Sequence, residues 1–155
     1  MSLLSDLAPG LSGLEQLQAL LASQRQLPLH ETLAIAFVSA EKGVVVVEAS
    51  PGEGHLNPAG TVHGGYIATI LDTACGCAVL SALPPNMGFS TLELKVAYHR
   101  PVTTKTGKVR AEGRLLSISR RAAFSEAKLT DASGKLLASA TSSLILTPLG
   151  EQHVS

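Results

Sequence analysis

The sequence predicts an α+β chain in which one antiparallel sheet wraps around a long central helix. Residues 63–83 carry Tyr66, Ile67, Ile70, Leu71, Ala74, Ala78, Val79 and Ala82 at helical spacing, with apolar or small side chains over most of the circumference. A helix apolar nearly all round has to be covered by other structure. Six strand-like runs supply the cover, two before the helix and four after it, with turn residues between them.

The elements follow in order. Ser12-Gly-Leu-Glu15 reads as a capping box, and Leu14, Leu17, Leu20 and Leu21 form the apolar stripe of a short helix that ends near Gln26, before Pro28. Runs at 33–39 and 44–49 read as strands joined by a turn at Glu41-Lys42-Gly43, and the Gly- and Pro-rich stretch 50–62 as a loop. Beyond Pro84-Pro85, strands are expected at about 90–100, 105–118, 121–132 and 135–147, punctuated by Pro101, by Ser119-Arg120 and by Asp131-Ala-Ser-Gly134.

Composition limits the possible functions. The 155 residues suit one domain over 1–155, with an N-terminal helical segment at 1–28 and a core at about 30–147. Charged residues make up only 15%, against about 25% in ordinary soluble chains, so some surface is expected to be buried between subunits. Twelve Lys and Arg balance twelve Asp and Glu, leaving no global field for nucleic acid or an anionic membrane. Three Phe, two Tyr and no Trp leave no stacking platforms for single strands. The segment 64–85 approaches membrane-spanning length but holds Asp72, three Gly and a terminal Pro pair, so a buried helix of a soluble protein is expected. The start, Met-Ser-Leu-Leu-Ser-Asp, has no basic region or long apolar run, which suggests a cytoplasmic protein. Cys75 and Cys77 point about 200° apart on a helix, suiting neither one metal nor one disulfide; they read as small core residues, and no metal site is expected.

One residue does not fit a purely structural helix. Asp72 is the only formally charged residue between His63 and Glu93. An ionised carboxylate in an apolar helix is costly unless something uses or pairs it. At the helix start, Gly64 and Gly65 present backbone N–H groups without intrahelical acceptors, reinforced by the helix dipole, so an oxyanion is stabilised there. A hydrolytic site needs such donors and a base or nucleophile. Asp72 lies eight residues beyond Gly64, about 12 Å along the axis, too far to serve its own helix start. If it acts on a carbonyl held there, it comes from a second copy whose helix runs antiparallel, which predicts a two-fold dimer with two shared sites. Taken singly, Asn57 before Pro58 reads as a turn pair, His63 as a helix cap, and Gly64-Gly65 as a loop-to-helix turn.

Together, Asn57, Gly60, His63-Gly64-Gly65 and Asp72 resemble the motif of hotdog-fold acyl-CoA thioesterases of the PaaI-like (phenylacetate-degradation, thioesterase superfamily member 2) group. The likeness extends more loosely over 30–147. It implies that the Gly64 N–H polarises the thioester carbonyl, that His63 and Asn57 orient the loop and the substrate or water, and that Asp72 of the partner subunit is general base or nucleophile. Ser90, eighteen residues beyond Asp72, falls where the group places a hydroxyl that helps position water. The resemblance also implies a homotetramer built as a dimer of dimers. The substrate it implies is an aryl- or medium- to long-chain acyl-CoA, and no cofactor is expected apart from the coenzyme A that the substrate carries. Its phosphates need cations or backbone donors; Arg120 and Arg121 beside Ser119, then Arg100, are the candidates, with Gly65 near the thioester.

Two alternatives use the same ligand. Hotdog hydratases place an Asp five residues before their His, where this chain has Pro58. A non-catalytic acyl-CoA sensor would bind without needing Asp72, and it would leave the thioester intact.

Overall fold

The computed structural model describes residues 10–149. Expectations that reach into 1–9 and 150–155, namely the chain start and the outer ends of the domain, lie outside the described residues.

Ser12 caps the first helix, α1 (Gly13–Ser23), by a full capping box with Glu15. Gln24 ends α1 in the left-handed region at φ 54°, about two residues before the predicted stop. A short helix that periodicity did not reveal, α2 (Pro28–Thr32), uses Pro28 in its first turn. β1 (Ile35–Glu41) and β2 (Val44–Ala49) form the expected hairpin. Gly43 sits at φ 80°, a conformation that strains side-chain-bearing residues.

The central helix α3 spans Gly64–Leu80, slightly shorter than predicted. Ser81 closes it: its hydroxyl donates to the Ala78 carbonyl and accepts from the Gly43 N–H, tying the helix end to the first hairpin. β3 (Met87–Tyr98), β4 (Val109–Ile118), β5 (Ala122–Thr130) and β6 (Leu136–Pro148) follow. β4 begins later than predicted because 104–106 form a turn of 3-10 helix.

All six strands join one antiparallel sheet in the order β1-β2-β4-β5-β6-β3. Alternation along each strand sends Val45 and Val47, Ala111 and Gly113, Ala127 and Leu129, and Ala140 and Leu144 inward, where they bury Ile70, Leu71, Ala74, Cys75 and Val79 of α3. Small residues at the centre let the helix lie close. A β-carbon on Gly113 would fall 2.0 Å from the Ala74 carbonyl oxygen, and one on Gly76 would fall 2.8 Å from the Phe89 ring.

Two features matter for the site. Among the described residues β3 is an edge strand, bonded only to β6, and its Leu92 is 66% exposed. Beside it, α3 leaves a half-buried stripe of Ala68, Thr69, Asp72 and Thr73, one helical turn apart in pairs.

Candidate active site

The loop before α3 is held by its own side chains. The Asn57 carbonyl oxygen accepts from the N–H groups of Ala59 (2.9 Å) and Thr61 (3.2 Å), and its amide donates to the Thr61 hydroxyl (2.9 Å). The turn reading of Asn57 therefore describes its present bonds, which orient the loop. His55 stacks on Tyr66 at 4.1 Å between ring centroids and receives the Gly52 N–H on Nδ1. Tyr66 donates to the Leu33 carbonyl at 2.8 Å, and burial pushes its hydroxyl up to about 12, so it stays a neutral donor. Backbone bonds from His63 to His55 and from Val62 to Val102 complete the scaffold.

His63 is the N-cap of α3, with backbone at φ −60°, ψ 135°. Its Nδ1 accepts from the Gly65 N–H at 2.8 Å, so the neutral ring carries its hydrogen on Nε2. On the other side of the same peptide unit, the Tyr98 hydroxyl donates to the Gly64 carbonyl at 2.8 Å. The Gly64–Gly65 peptide is thus gripped at both ends. The preceding N–H, that of Gly64, has no protein acceptor among the described residues. It carries the positive end of the helix dipole. A β-carbon on Gly64 would lie 3.0 Å from the Tyr98 hydroxyl, so glycine leaves room for the close approach of the phenol. Gly64, Ile67, Val62, Tyr98 and Arg100 line an adjoining cavity of about 310 Å³.

Asp72 lies two turns along α3 and faces β3, where the Thr91 hydroxyl donates to it at 3.0 Å. The hydroxyl that meets Asp72 in the protomer is that of Thr91, the neighbour of Ser90 on β3. Thr91 pairs with Leu144 on the helix-facing side of the sheet, whereas Ser90 pairs with Ile145 and points to the other face. With about 12 Å of helix axis between them, Gly64 and Asp72 are not brought together within one protomer. Cys75 is buried, Cys77 partly so, and neither is in a disulfide. Burial raises the Cys75 thiol to about 11 and, with the charge of Asp72 adding, the Cys77 thiol to about 12.

Arg120 and Arg121 are exposed at the β4–β5 turn and do not line the cavity beside Gly64. The Ser119 hydroxyl is taken up by that turn, donating to the Ala122 carbonyl and accepting from its N–H. Arg100 does line the cavity, fixed by a 2.7 Å bond from Nη1 to the Leu136 carbonyl. Sequence reasoning missed Tyr98 and Thr91. Their only local signal is the period-two pattern of β3, which does not say what a side chain meets across the sheet. Among the described residues no group of three His, Cys, Asp or Glu could hold a metal, and no helix is long and apolar enough to cross a membrane.

Comparison with known proteins agrees with this fold. Residues 59–138 match the thioesterase superfamily. Human acyl-coenzyme A thioesterase 13 is 34% identical over 106 residues, which cover 67% of this chain and 74% of that protein. A phenylacetic acid degradation-related protein of Ralstonia eutropha superposes with a TM-score of 0.74 at 26% identity, covering 83% of this chain and 97% of that one. A Streptococcus mutans protein solved with acetyl-CoA bound gives 0.67 at 27%, covering 74% and 89%. A matched segment spanning half the chain, on a six-stranded antiparallel sheet around one helix, places this protein in the thioesterase superfamily, as a PaaI-like hotdog-fold thioester hydrolase.

Proposed function

We propose that the protein hydrolyses aryl- or medium- to long-chain acyl-CoA to the free acid and CoA, at sites shared between the two subunits of a two-fold dimer. The observation that carries this reading is the free Gly64 N–H at the start of α3, beside an apolar cavity and out of reach of Asp72 on the same helix. An unpaired twelve-residue edge strand and the half-buried stripe around Asp72 support pairing with a second copy, because a long free edge offers unsatisfied N–H and C=O groups. Antiparallel pairing at β3 sets the two α3 helices side by side and brings Asp72 of the partner subunit toward Gly64. Two such dimers make the tetramer, which works in the cytoplasm.

In the reaction, the thioester carbonyl oxygen takes the Gly64 N–H, and negative charge developing on it is met by that donor and the helix dipole. The clamp on the next peptide by His63 and Tyr98 holds the donor in place. Asp72 of the partner subunit either removes a proton from water, whose oxygen attacks the carbonyl carbon, or attacks directly to give an anhydride that water opens. The tetrahedral intermediate then collapses with loss of the CoA thiolate, a leaving group good enough to depart without a strong acid. Thr91 holds the carboxylate oriented, and Asn57 holds the loop. No cofactor is required. The acetyl-CoA bound to the Streptococcus mutans neighbour supports a CoA carrier.

The test is thiol release from a panel of acyl-CoAs by wild type and Asp72→Asn. Asparagine keeps the acceptor for Thr91, so the fold should hold while turnover falls by about 10²–10⁴. Near-wild-type turnover by the variant removes Asp72 from the chemistry; tight binding without thiol release by wild type moves the protein to the sensor class. Single turnover in ¹⁸O water tests the anhydride route, since label in Asp72 requires an anhydride that water opens at the Asp72 carbonyl carbon.

A further inference from the structure

Arg100 on the Gly64 cavity wall is joined by further cations next door. Arg100 and Pro101 close one end of that cavity, and the same two residues open a wider cleft of about 670 Å³ that continues to Lys105, Thr106, Asp131 and Lys135. Among the described residues none of these three cations is in an ion pair, whereas Lys108 and Arg110 are paired with Glu48 and Arg114 with Glu112. The one carboxylate in the cleft is committed to its own turn. Asp131 Oδ1 accepts from the Ser133 N–H, the Ser133 hydroxyl and the Lys135 N–H, at 2.7–3.0 Å. Arg100 spends one of its five donors on the Leu136 carbonyl, which fixes the guanidinium on the cleft wall. In a chain of zero net charge, three unpaired cations against one occupied carboxylate make a local anion site, continuous with the cavity that takes the thioester.

We propose that the cleft of Arg100, Lys105 and Lys135 binds the phosphates of the CoA carrier, while the uncharged pantetheine arm crosses the cavity lined by Tyr98 and Pro101. The proposal rests on the acyl-CoA thioesterase reading. It assigns the phosphates to cations that adjoin the Gly64 cavity of the same subunit instead of to Arg120 and Arg121. Each phosphate contact is a charge-assisted bond, stronger than one between neutral groups and sensitive to salt.

The experiment compares wild type, Lys105→Gln/Lys135→Gln and Arg120→Gln/Arg121→Gln on an acyl-CoA and on the matching acyl-pantetheine, which has no diphosphate or 3′-phosphate. Binding of free CoA is measured beside the kinetics by calorimetry. Loss of the two lysines should raise KM for acyl-CoA by about tenfold or more with kcat unchanged, leave acyl-pantetheine untouched, and weaken CoA binding by a similar factor. Unchanged KM and CoA affinity in that variant overturn the cleft. So does an equal rise on acyl-pantetheine, or a rise carried wholly by the arginine variant. Should wild type hydrolyse neither substrate, the thioesterase reading fails separately, and CoA affinity still decides the cleft.

Discussion

Replacing Gly113 by alanine tests whether the seating of α3 on the sheet sets the geometry of the site. The new β-carbon would lie 2.0 Å from the Ala74 carbonyl oxygen and 2.4 Å from its carbon. Ordinary contact begins at 3.4 Å, so helix and strand must part by the difference between 3.4 and 2.0 Å, about 1.4 Å. The obstructing atoms are backbone in the middle of a 17-residue helix and cannot swing aside as a side-chain end would. Overpacking of this kind costs about 1–3 kcal/mol, and a rigid obstacle belongs at the upper end. For a chain of this size each kcal/mol is worth about 2–4 °C, so the melting temperature should fall by roughly 6–12 °C. Ala74 is two residues beyond Asp72 on the helix that starts at Gly64, so the same displacement misplaces both halves of the site. A 1 Å misplacement costs about 10² in rate. Thermal unfolding followed by far-UV circular dichroism reads the first number, and kcat from thiol release reads the second. Gly54→Ala, which would add its β-carbon to open space, is the control and should shift stability by less than about 0.5 kcal/mol. A Gly113→Ala protein melting within about 1 °C of wild type would refute the packing argument. One that is destabilised yet keeps full kcat would separate the site from the seating of α3.

Further expectations concern single groups. Tyr98→Phe keeps the ring but frees the Gly64 carbonyl; loss of that bond should lower kcat about tenfold with KM little changed, and a KM effect alone would make Tyr98 a mere cavity wall. His30 is buried edge-on to Phe37, and burial holds it below the ordinary histidine value of 6.5. The unfolded chain therefore takes up that proton first as pH falls, so the stability His30 contributes is present above 6.5 and is lost as pH drops toward its lowered folded value. Melting temperature against pH should lose part of this slope in His30→Leu, and an unchanged slope would exonerate His30. Because burial raises both thiols far above neutral pH, Cys75 and the partly buried Cys77 should react slowly with a disulfide reagent in the native protein and promptly after unfolding; fast native reaction would contradict the raised thiols.

The local sequence determined the central helix, its cap and the order of elements. Apolar spacing from Tyr66 to Val79, the capping box at Ser12–Glu15 and the glycine pair after His63 act within a few residues, and such effects can be read along the chain. The short spacing from Asn57 to Asp72 carried the family as well. What tertiary structure decided lies at long separation. The sheet order makes β3 an edge strand, and no local pattern in β3 reveals that its only neighbour is β6. The Asp72–Thr91 bond depends on how the chain crosses from α3 into β3, where an offset of one residue turns a side chain to the opposite face. Tyr98 meets Gly64 across 34 residues, and Lys105 meets Lys135 in one cleft only because the β3–β4 and β5–β6 connections end on the same side of the sheet. Backbone preference and apolar period act between neighbours in sequence, whereas register and the gathering of charges depend on which strands pair, a choice made by packing of the whole core.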